Sequence, residues 1–275
     1  MKELFPVSLL YTESREDIDQ RLFLGTLEKG FAVLQAFCNN PRPMTMAQVA
    51  TAAGMNKSAV QRILYTLRSM GLLIHDNRTK QYRLAPRTLD LGNAYLRGNP
   101  AIESTFPFLL EANKKVRETV NLTELVDTDI MYISRVHSRD VLSSYVTIGQ
   151  RFPAFATAPG RAILAHLPED ERNALLDRSG FTALTPRTRV TRPEIDAAIA
   201  EVHELGVAIA REETVLGDIS IAAAILGPDG LPLAAINVAA PAARWPDAKM
   251  QEEIVPVVQD TARRLSKIFV QQHWV

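Results

Sequence analysis

Residues Thr45–Leu84, TMAQVATAAGMNKSAVQRILYTLRSMGLLIHDNRTKQYRL, constrain this chain more than any other stretch. They read as a short helix, a tight turn, a second helix and a β-ribbon. The first helix, Thr45–Ala53, is capped by Thr45 and turns Val49 and Ala50 inward. Gly54 follows, where the chain leaves a helix through the left-handed conformation. Asn56 can accept an orphan backbone N–H and start the next helix. That helix runs to about Met70, with Val60, Ile63, Leu64 and Leu67 recurring on one face, and Gly71 ends it. Leu72–His75 and Gln81–Leu84 then flank the polar tip Asp76–Lys80, as a hairpin does.

The opposite face of the second helix carries Lys57, Ser58, Gln61, Arg62, Tyr65 and Arg68, with no acid among them. An exposed basic helix followed by a basic hairpin spells a winged helix-turn-helix, whose second helix lies in the DNA major groove. Lys57, Arg62, Arg68, Arg78 and Lys80 are the expected phosphate contacts. Ser58 and Gln61 are placed to reach base edges, and Asn56 stands at the helix start. A plain helical hairpin packed against other helices is the alternative, and charge argues against it. Residues 21–98 hold eleven Lys and Arg against three acids (Glu28, Asp76, Asp90), a net of +8. The whole chain is neutral, with 31 basic and 31 acidic residues, so the remainder carries −8. Such a split suits a nucleic-acid module joined to one that does not touch nucleic acid.

At 275 residues the chain has room for about two domains, and its 47% hydrophobic content is ample for packed cores. The single cysteine, Cys38, excludes an internal disulfide and fits a reducing compartment. Its place in an apolar helix with Val33, Leu34 and Phe37 predicts a core thiol. No run of eighteen apolar residues exists, which argues against a membrane span, and MKELFPVSLL is a poor secretory signal. The expectation is a soluble cytoplasmic protein.

Residues 1–23 read as a loose arm. Leu24–Cys38 is an amphipathic helix with Leu27, Phe31, Leu34 and Phe37 on its stripe, and Asn39-Asn40-Pro41-Arg42-Pro43 breaks the chain. After the wing, Pro86 opens a single linker helix, Arg87–Arg97, which Gly98-Asn99-Pro100 closes. A long helix over about Ala101–Thr119 turns Phe106, Leu109, Leu110 and Val116 inward. Strands follow at Leu122–Asp127 and Ile130–Val136, around the hairpin signal Thr128-Asp129, and at Leu142–Ile148. Ala158–Leu167 and Pro168–Arg178 read as helices. Thr191–Leu205 carries a capping box from Thr191 and Glu194, with Gly206 as its stop and His203 facing solvent. Strands at Val207–Arg211, Ile219–Leu226 and Leu233–Ala239 and a closing helix, Asp247–Val270, kinked at Pro256, complete the pattern. The fold class is therefore α+β: a winged helix-turn-helix (24–85) behind an arm (1–23), a linker helix (86–99), and a mixed domain (100–275) whose largely antiparallel sheet is covered by helices.

The chain resembles the IclR family of transcription regulators over nearly everything after residue 24. Three blocks in order carry the likeness: AGMNKSAVQRILYTLRSMGLL…YRLAPRTLDLG, PAFATAPGRAILAHLP, and GVAIAREETVLGDISIAAAILGPDGLPLAAINVAAP with Glu213 four residues before Gly217. The loop Thr185–Thr191 also sits where the family places one before its long helix. The resemblance implies a GAF-like C-terminal domain that binds a small effector, and a dimer or tetramer on a palindromic operator. SRVHSRDVLSSYVTIGQRFPAF is most similar to the branch that senses protocatechuate or 4-hydroxybenzoate. Family members that bind small oxoacids use backbone groups of the loop matching Thr157–Gly160, a downstream acid and small polar side chains. Here Pro159 has no N–H, Ala210 replaces the acid, and Ser220 and Asn237 keep polar groups, which favours a larger, partly apolar acid. Arg135, Tyr145, Arg151, Phe155, Thr157, Ala158, Ser220 and Asn237 are the expected effector contacts. Arg161 and Arg211 complete the set of candidate cations, and Phe152 joins the loop's apolar contribution.

Other functions fit less well. The five histidines (75, 137, 166, 203 and 273) show no metal-ligand spacing, and no Gly-rich phosphate loop is present. Ser143, Ser144 and Ser220 have no evident base in sequence, so no catalytic residue, metal or cofactor is expected. A winged helix that binds only proteins would need apolar anchors where Lys57–Arg68 presents basic ones. A regulator sensing a small aliphatic oxoacid is the remaining alternative.

Overall fold

The computed structural model describes residue 19 and residues 21–138 and 146–271. Contacts divide the chain into two units, Met1–Tyr95 and Leu96–Val275. The structure is a mixed α/β one, an N-terminal helix-turn-helix unit and a C-terminal unit built on a curled antiparallel sheet. Among the described residues no helix is long and apolar enough to cross a membrane.

The first unit comprises α1 (Gly25–Asn39), β1 (Met44–Thr45), α2 (Met46–Ala52), α3 (Lys57–Ser69), β2 (Leu73–Asp76) and β3 (Gln81–Leu84). Thr45 caps α2 through a full capping box: its backbone N–H donates to Gln48 Oε1 at 2.8 Å, and its Oγ1 accepts from the Gln48 N–H at 3.4 Å. Gly54, with φ of 63°, turns the chain, and Asn56 Oδ1 then caps α3 by accepting from the Ala59 N–H at 2.9 Å. Val60, Leu64 and Leu67 of α3 pack with Val33, Ala36 and Phe37 of α1 and with Val49 and Ala50 of α2. The wing is a three-stranded sheet in the order β1-β3-β2. Its first strand is too short to leave a period in sequence and is held by pairing Met44 with Tyr82.

Two expectations for α1 fail. Leu27 and Phe31 are 58% and 49% exposed, and the buried row is Val33, Ala36 and Phe37. Both rows are apolar, and periodicity alone does not say which one the chain itself covers. Cys38 lies on the uncovered side and is exposed rather than a core thiol.

A 3₁₀ turn, Pro86–Thr88, leads into α4 (Leu89–Gly98), followed by α5 (Pro100–Val116). Along α5 the buried row is Thr105, Leu109, Ala112 and Val116. Phe106, expected inward, lies one residue round from that row and is 47% exposed. The second unit continues with β4 (Thr119–Val126), β5 (Asp129–Val136), β6 (Arg151–Pro153), a 3₁₀ turn (Ala154–Ala156), α6 (Ala158–Leu164), α7 (Glu169–Arg178) and α8 (Arg192–Leu205). After these come β7 (Ala208–Arg211), β8 (Asp218–Leu226), β9 (Pro232–Pro241), α9 (Asp247–Glu253) and α10 (Val255–Gln271). The strands form one sheet, β6-β5-β4-β9-β8-β7, with every neighbouring pair antiparallel. The hairpin between β4 and β5 turns at Asp127, whose φ is 57°, one residue earlier than the sequence indicates. Of the strand expected at Leu142–Ile148, residues 142–145 lie outside the described residues and 146–148 are not in a strand. The edge strand is instead Arg151–Pro153. Pro256 splits the closing helix at Ile254, because it has no N–H to donate to the Glu252 carbonyl.

The two faces of the sheet differ in side-chain size. Val120, Leu122, Ile219, Ile221, Ile225, Ile236 and Val238 face α5 and α10. The alternate residues, Ala210, Ala222 and Ala235, belong to the cluster that packs α6 and α8. Small residues let α6 lie close to the sheet and leave room beyond its N-terminus. α6 also lies tight against the 3₁₀ turn before it: at Gly160 an added Cβ would stand 2.1 Å from the Ala154 carbonyl oxygen.

Candidate functional site

The first site is a surface. Asn56, Lys57, Ser58, Gln61, Arg62 and Arg68 on and before α3, and Arg78 and Lys80 in the wing, are all exposed. Burial of Val60, Leu64 and Leu67 leaves these residues on the outward side of α3. The Asn56 oxygen already serves the cap, so its amide N–H groups are what it can offer a ligand. The wing tip is an Asx turn. Asp76 Oδ1 accepts from the N–H groups of Arg78 (2.7 Å) and Thr79 (3.3 Å), and these bonds hold its carboxyl below the usual carboxylate range. Lys80 follows in the left-handed region, with φ of 56°. Arg87 donates to the Met70 carbonyl at 3.1 Å and ties the end of α3 to the segment after the wing. A basic face without buried counter-charge can bind a polyanion without first breaking an ion pair.

The second site is a cleft in the C-terminal unit, about 540 Å³ counted to its open mouth. Its floor is the small-residue face of the sheet. Asn121 on β4, Asn237 and Ala239 on β9, Asp218 and Ser220 on β8, and Ala210 on β7 contribute to it. Thr157, Ala158 and Pro159 at the start of α6 and Thr214 and Val215 form walls, and Tyr132, Arg135, Val146 and Phe152 close one side. Tyr132 and Arg135 are three residues apart, a spacing that in a regular strand puts side chains on opposite faces. A bulge resolves this: Leu122 pairs with Ser134 but Thr123 pairs with Tyr132, so Ile133 is skipped and the two side chains share the cleft face.

Three of the polar groups in the cleft are linked in a row. Asn121 Nδ2 donates to Asn237 Oδ1 at 3.3 Å, and Asn237 Nδ2 donates to Ser220 Oγ at 2.9 Å. Arg135 donates to the Val146 carbonyl at 2.8 Å. Burial lowers the Arg135 pKa, a shift that Tyr132 and Asp218 oppose. The Tyr132 phenol is pushed up to about 12, by burial first, with Arg135 opposing and Asp218 adding. Burial also pushes the Asp218 carboxyl up, against the attraction of Arg135. Tyr132 and Phe152 meet edge to face, with centroids 6.1 Å apart.

Of the expected effector residues, Arg135, Thr157, Ala158, Ser220 and Asn237 line this cleft, and Phe152 joins them. Arg151 and Phe155 do not. Arg151 donates to the Val126 carbonyl at 2.7 Å and pairs with Asp127 and Asp129, each at 3.1 Å. Phe155 is fully buried and packs edge-on against Phe181 at 5.1 Å. Tyr145 lies outside the described residues. The other two candidate cations are also placed elsewhere: Arg211 pairs with Asp247 at 2.9 Å, and Arg161 is fully buried. Its Nη1 and Nη2 reach the two Glu213 oxygens at 2.7 and 2.5 Å, and its Nε donates to the Phe155 carbonyl at 2.8 Å. Sequence reasoning missed Asn121, Tyr132, Thr214, Val215 and Asp218. The alternation Val120-Asn121-Leu122-Thr123 was legible, but such alternation is ordinarily the mark of a solvated face.

Similarity to known proteins is extensive. Residues 93–267 match the family description "Bacterial transcriptional regulator IclR C-terminal", and residues 26–76 match "IclR helix-turn-helix domain". The Pca regulon regulatory protein of Pseudomonas putida is 33% identical over 244 residues, 88% of this chain and 83% of its own. The p-hydroxybenzoate hydroxylase transcriptional activator of Acinetobacter baylyi is 27% identical over 267 residues, 94% of this chain and 97% of its own. A transcriptional regulator solved from Rhodococcus sp. RHA1 superposes with a TM-score of 0.73 at 34% identity, covering 89% of this chain and 98% of that one. These relatives are named as regulators of transcription, not as enzymes.

Proposed function

The chain belongs to the IclR family of transcription regulators, with a DNA-binding helix-turn-helix and a C-terminal effector domain, and on that basis we propose that it answers to a monocyclic aromatic acid. The observation that carries this reading is the pairing, in one cleft, of the Arg135 guanidinium with the aromatic walls Tyr132 and Phe152. A benzoate-type ligand wants one cation for its carboxylate and an apolar slot for its ring. A two-carbon oxoacid would gain little from the Val146, Phe152 and Val215 surface, since burial free energy follows apolar area. The regulators of a Pca regulon and of p-hydroxybenzoate hydroxylase among its relatives point to the same ligand class.

In this reading Lys57, Arg62, Arg68, Arg78 and Lys80 hold phosphates, Ser58 and Gln61 read bases, and Asn56 assists at the start of α3. The operator is a palindrome in cytoplasmic DNA, because one winged domain covers too little DNA for tight binding and a two-fold pair supplies the rest. The exposed row Leu24, Leu27 and Phe31 offers an apolar surface for a second subunit in a dimer or tetramer. The domains divide as an arm (1–23), a winged domain (24–85), a linker helix (86–99) and an effector domain (100–275). Effector binding alters DNA occupancy only in so far as the ligand prefers one inter-subunit arrangement over another.

Titration calorimetry with 4-hydroxybenzoate, protocatechuate, glyoxylate and pyruvate tests the ligand. Wild type is expected to bind one or both aromatic acids, and Arg135→Ala to lose at least about tenfold, the effect of removing a charge-assisted hydrogen bond. Binding of glyoxylate or pyruvate but of neither aromatic acid would overturn the aromatic reading.

A further inference from the structure

Among the described residues, one buried acceptor in the cleft is left unmatched. Asn121 is 1% exposed, and its Oδ1 has no hydrogen-bond partner. The residue stands directly across the β4–β5 ladder from Arg135 and across the β4–β9 ladder from Asn237. It is therefore the end of the chain Asn121–Asn237–Ser220, and that end faces the cleft beside its guanidinium. A buried acceptor without a donor costs free energy, and such a group in a cleft calls for a ligand atom.

The chain is reversible. The oxygen and nitrogen of an amide have nearly the same shape, so turning the Asn121 and Asn237 amides together changes polarity without changing packing. In the reversed order the Ser220 hydroxyl donates to Asn237, Asn237 donates to Asn121, and Asn121 Nδ2 has an N–H to give to the cleft. Each link then has a donor and an acceptor, and the linked bonds polarise one another toward the open end. Asp218 in the same cleft opposes an entering anion, so a carboxylate beside Arg135 needs more than one donor.

The geometry points to Asn121 as a specificity-determining residue: with Arg135 it forms a two-armed clamp on the ligand's carboxylate, its N–H presented by reversal of the Asn121–Asn237–Ser220 chain. This rests on the proposal that the cleft binds an acid and deepens it, because it assigns the recognition of the carboxylate to a neutral amide as well as to a cation. The cleft therefore selects a carboxylate over the corresponding carboxamide by more than its arginine alone provides.

The test is a ratio. Affinities of 4-hydroxybenzoate and 4-hydroxybenzamide are measured by calorimetry on wild type, Asn121→Leu and Asn121→Asp, with pyruvate and pyruvamide as a parallel pair. Thermal melting without ligand shows that each variant is folded. Asn121→Leu is expected to reduce the preference for carboxylate over carboxamide at least tenfold. Asn121→Asp, a fixed acceptor of the same shape, is expected to reduce it further or invert it. Should Asn121→Asp fail to fold, Asn121→Leu decides alone. Equal losses for acid and amide in the folded variants would make Asn121 a structural residue only and overturn the clamp, while leaving the aromatic-acid reading intact. If pyruvate binds and the aromatic acid does not, the aromatic reading falls and the pyruvate pair decides the clamp. If wild type binds no carboxylate of either class, both fall.

Discussion

Arg161 and Glu213 form an ion pair that water does not reach, with the two residues 0% and 3% exposed. Arg161 lies on α6, whose first residues wall the cleft, and Glu213 immediately precedes the wall residues Thr214 and Val215. The same carboxylate accepts from the Arg189 N–H at 3.1 Å, and the Thr188 hydroxyl donates to the Glu213 carbonyl at 2.7 Å. Through one carboxylate, the segment before α8 and two walls of the cleft share a single anchor. Removing one partner leaves a buried charge without its counter-charge, so Glu213→Gln is expected to destabilise the chain by about 3–5 kcal/mol. Arg161→Met with Glu213→Leu removes both charges and is expected to cost less than the single change. Urea unfolding of the three proteins checks the order. A double variant weaker than Glu213→Gln would refute this account of the pair.

At the scale of elements, α3 presents two chemistries on one face. Arg62→Ala is expected to weaken binding to specific and random duplexes alike and to flatten the dependence of log K on log salt by about one unit, as loss of a phosphate contact does. Gln61→Ala should instead relax preference at one position in each half-site. Fluorescence anisotropy over a salt series and a set of point-varied operators separates the two, and unchanged binding in both variants would remove α3 from the interface. In the other unit, α5 and α10 are tied by Glu111, which accepts from Arg264 at 3.0 and 2.9 Å and pairs with Lys115 at 2.9 Å. The Arg264 bonds foremost, then Lys115, hold the Glu111 carboxyl down at about 2. A carboxylate depressed in the folded state stabilises it above the unfolded pKa, about 4.3, and that contribution is lost as pH falls toward 2. The stability gap between wild type and Glu111→Gln should thus be present at pH 6 and close between about pH 4 and 2. It should be small and should shrink in salt, because these groups are exposed. A gap that persists at pH 2 would show that the carboxylate charge is not its source.

For the molecule as a whole, the apolar row Leu24, Leu27 and Phe31 is left exposed among the described residues. Purified protein is expected to sediment as a dimer or tetramer at micromolar concentration. The variant Leu27→Glu with Phe31→Glu should shift it toward smaller species and weaken operator binding without lowering the affinity for effector. A wild type that sediments as a monomer, both alone and on DNA, would contradict the palindrome reading.

The winged unit was legible because its signals are local. The Thr45 capping box, Gly54 at its positive φ, the Asn56 cap and the row Val60, Leu64, Leu67 each act within a few residues. The exposure of Lys57, Gln61 and Arg62 then follows, since charged and polar side chains without partners stay in solvent. Which apolar row of α1 is covered was not legible, because that depends on what packs against it. The cleft depended on longer range still. Four arginines were candidate cations in sequence, with Arg135 placed first and Arg151 second, and the fold sorted them by partners up to 52 residues away: Glu213 took Arg161, Asp127 and Asp129 took Arg151, Asp247 took Arg211. Arg135 entered the cleft with Tyr132 because a bulge skips Ile133, and Asn121 turned inward because helices cover both faces of the sheet. Spacing along the chain sets which residues share a face. Only the pairing of strands, and the helices laid over them, decided which face carries the cleft.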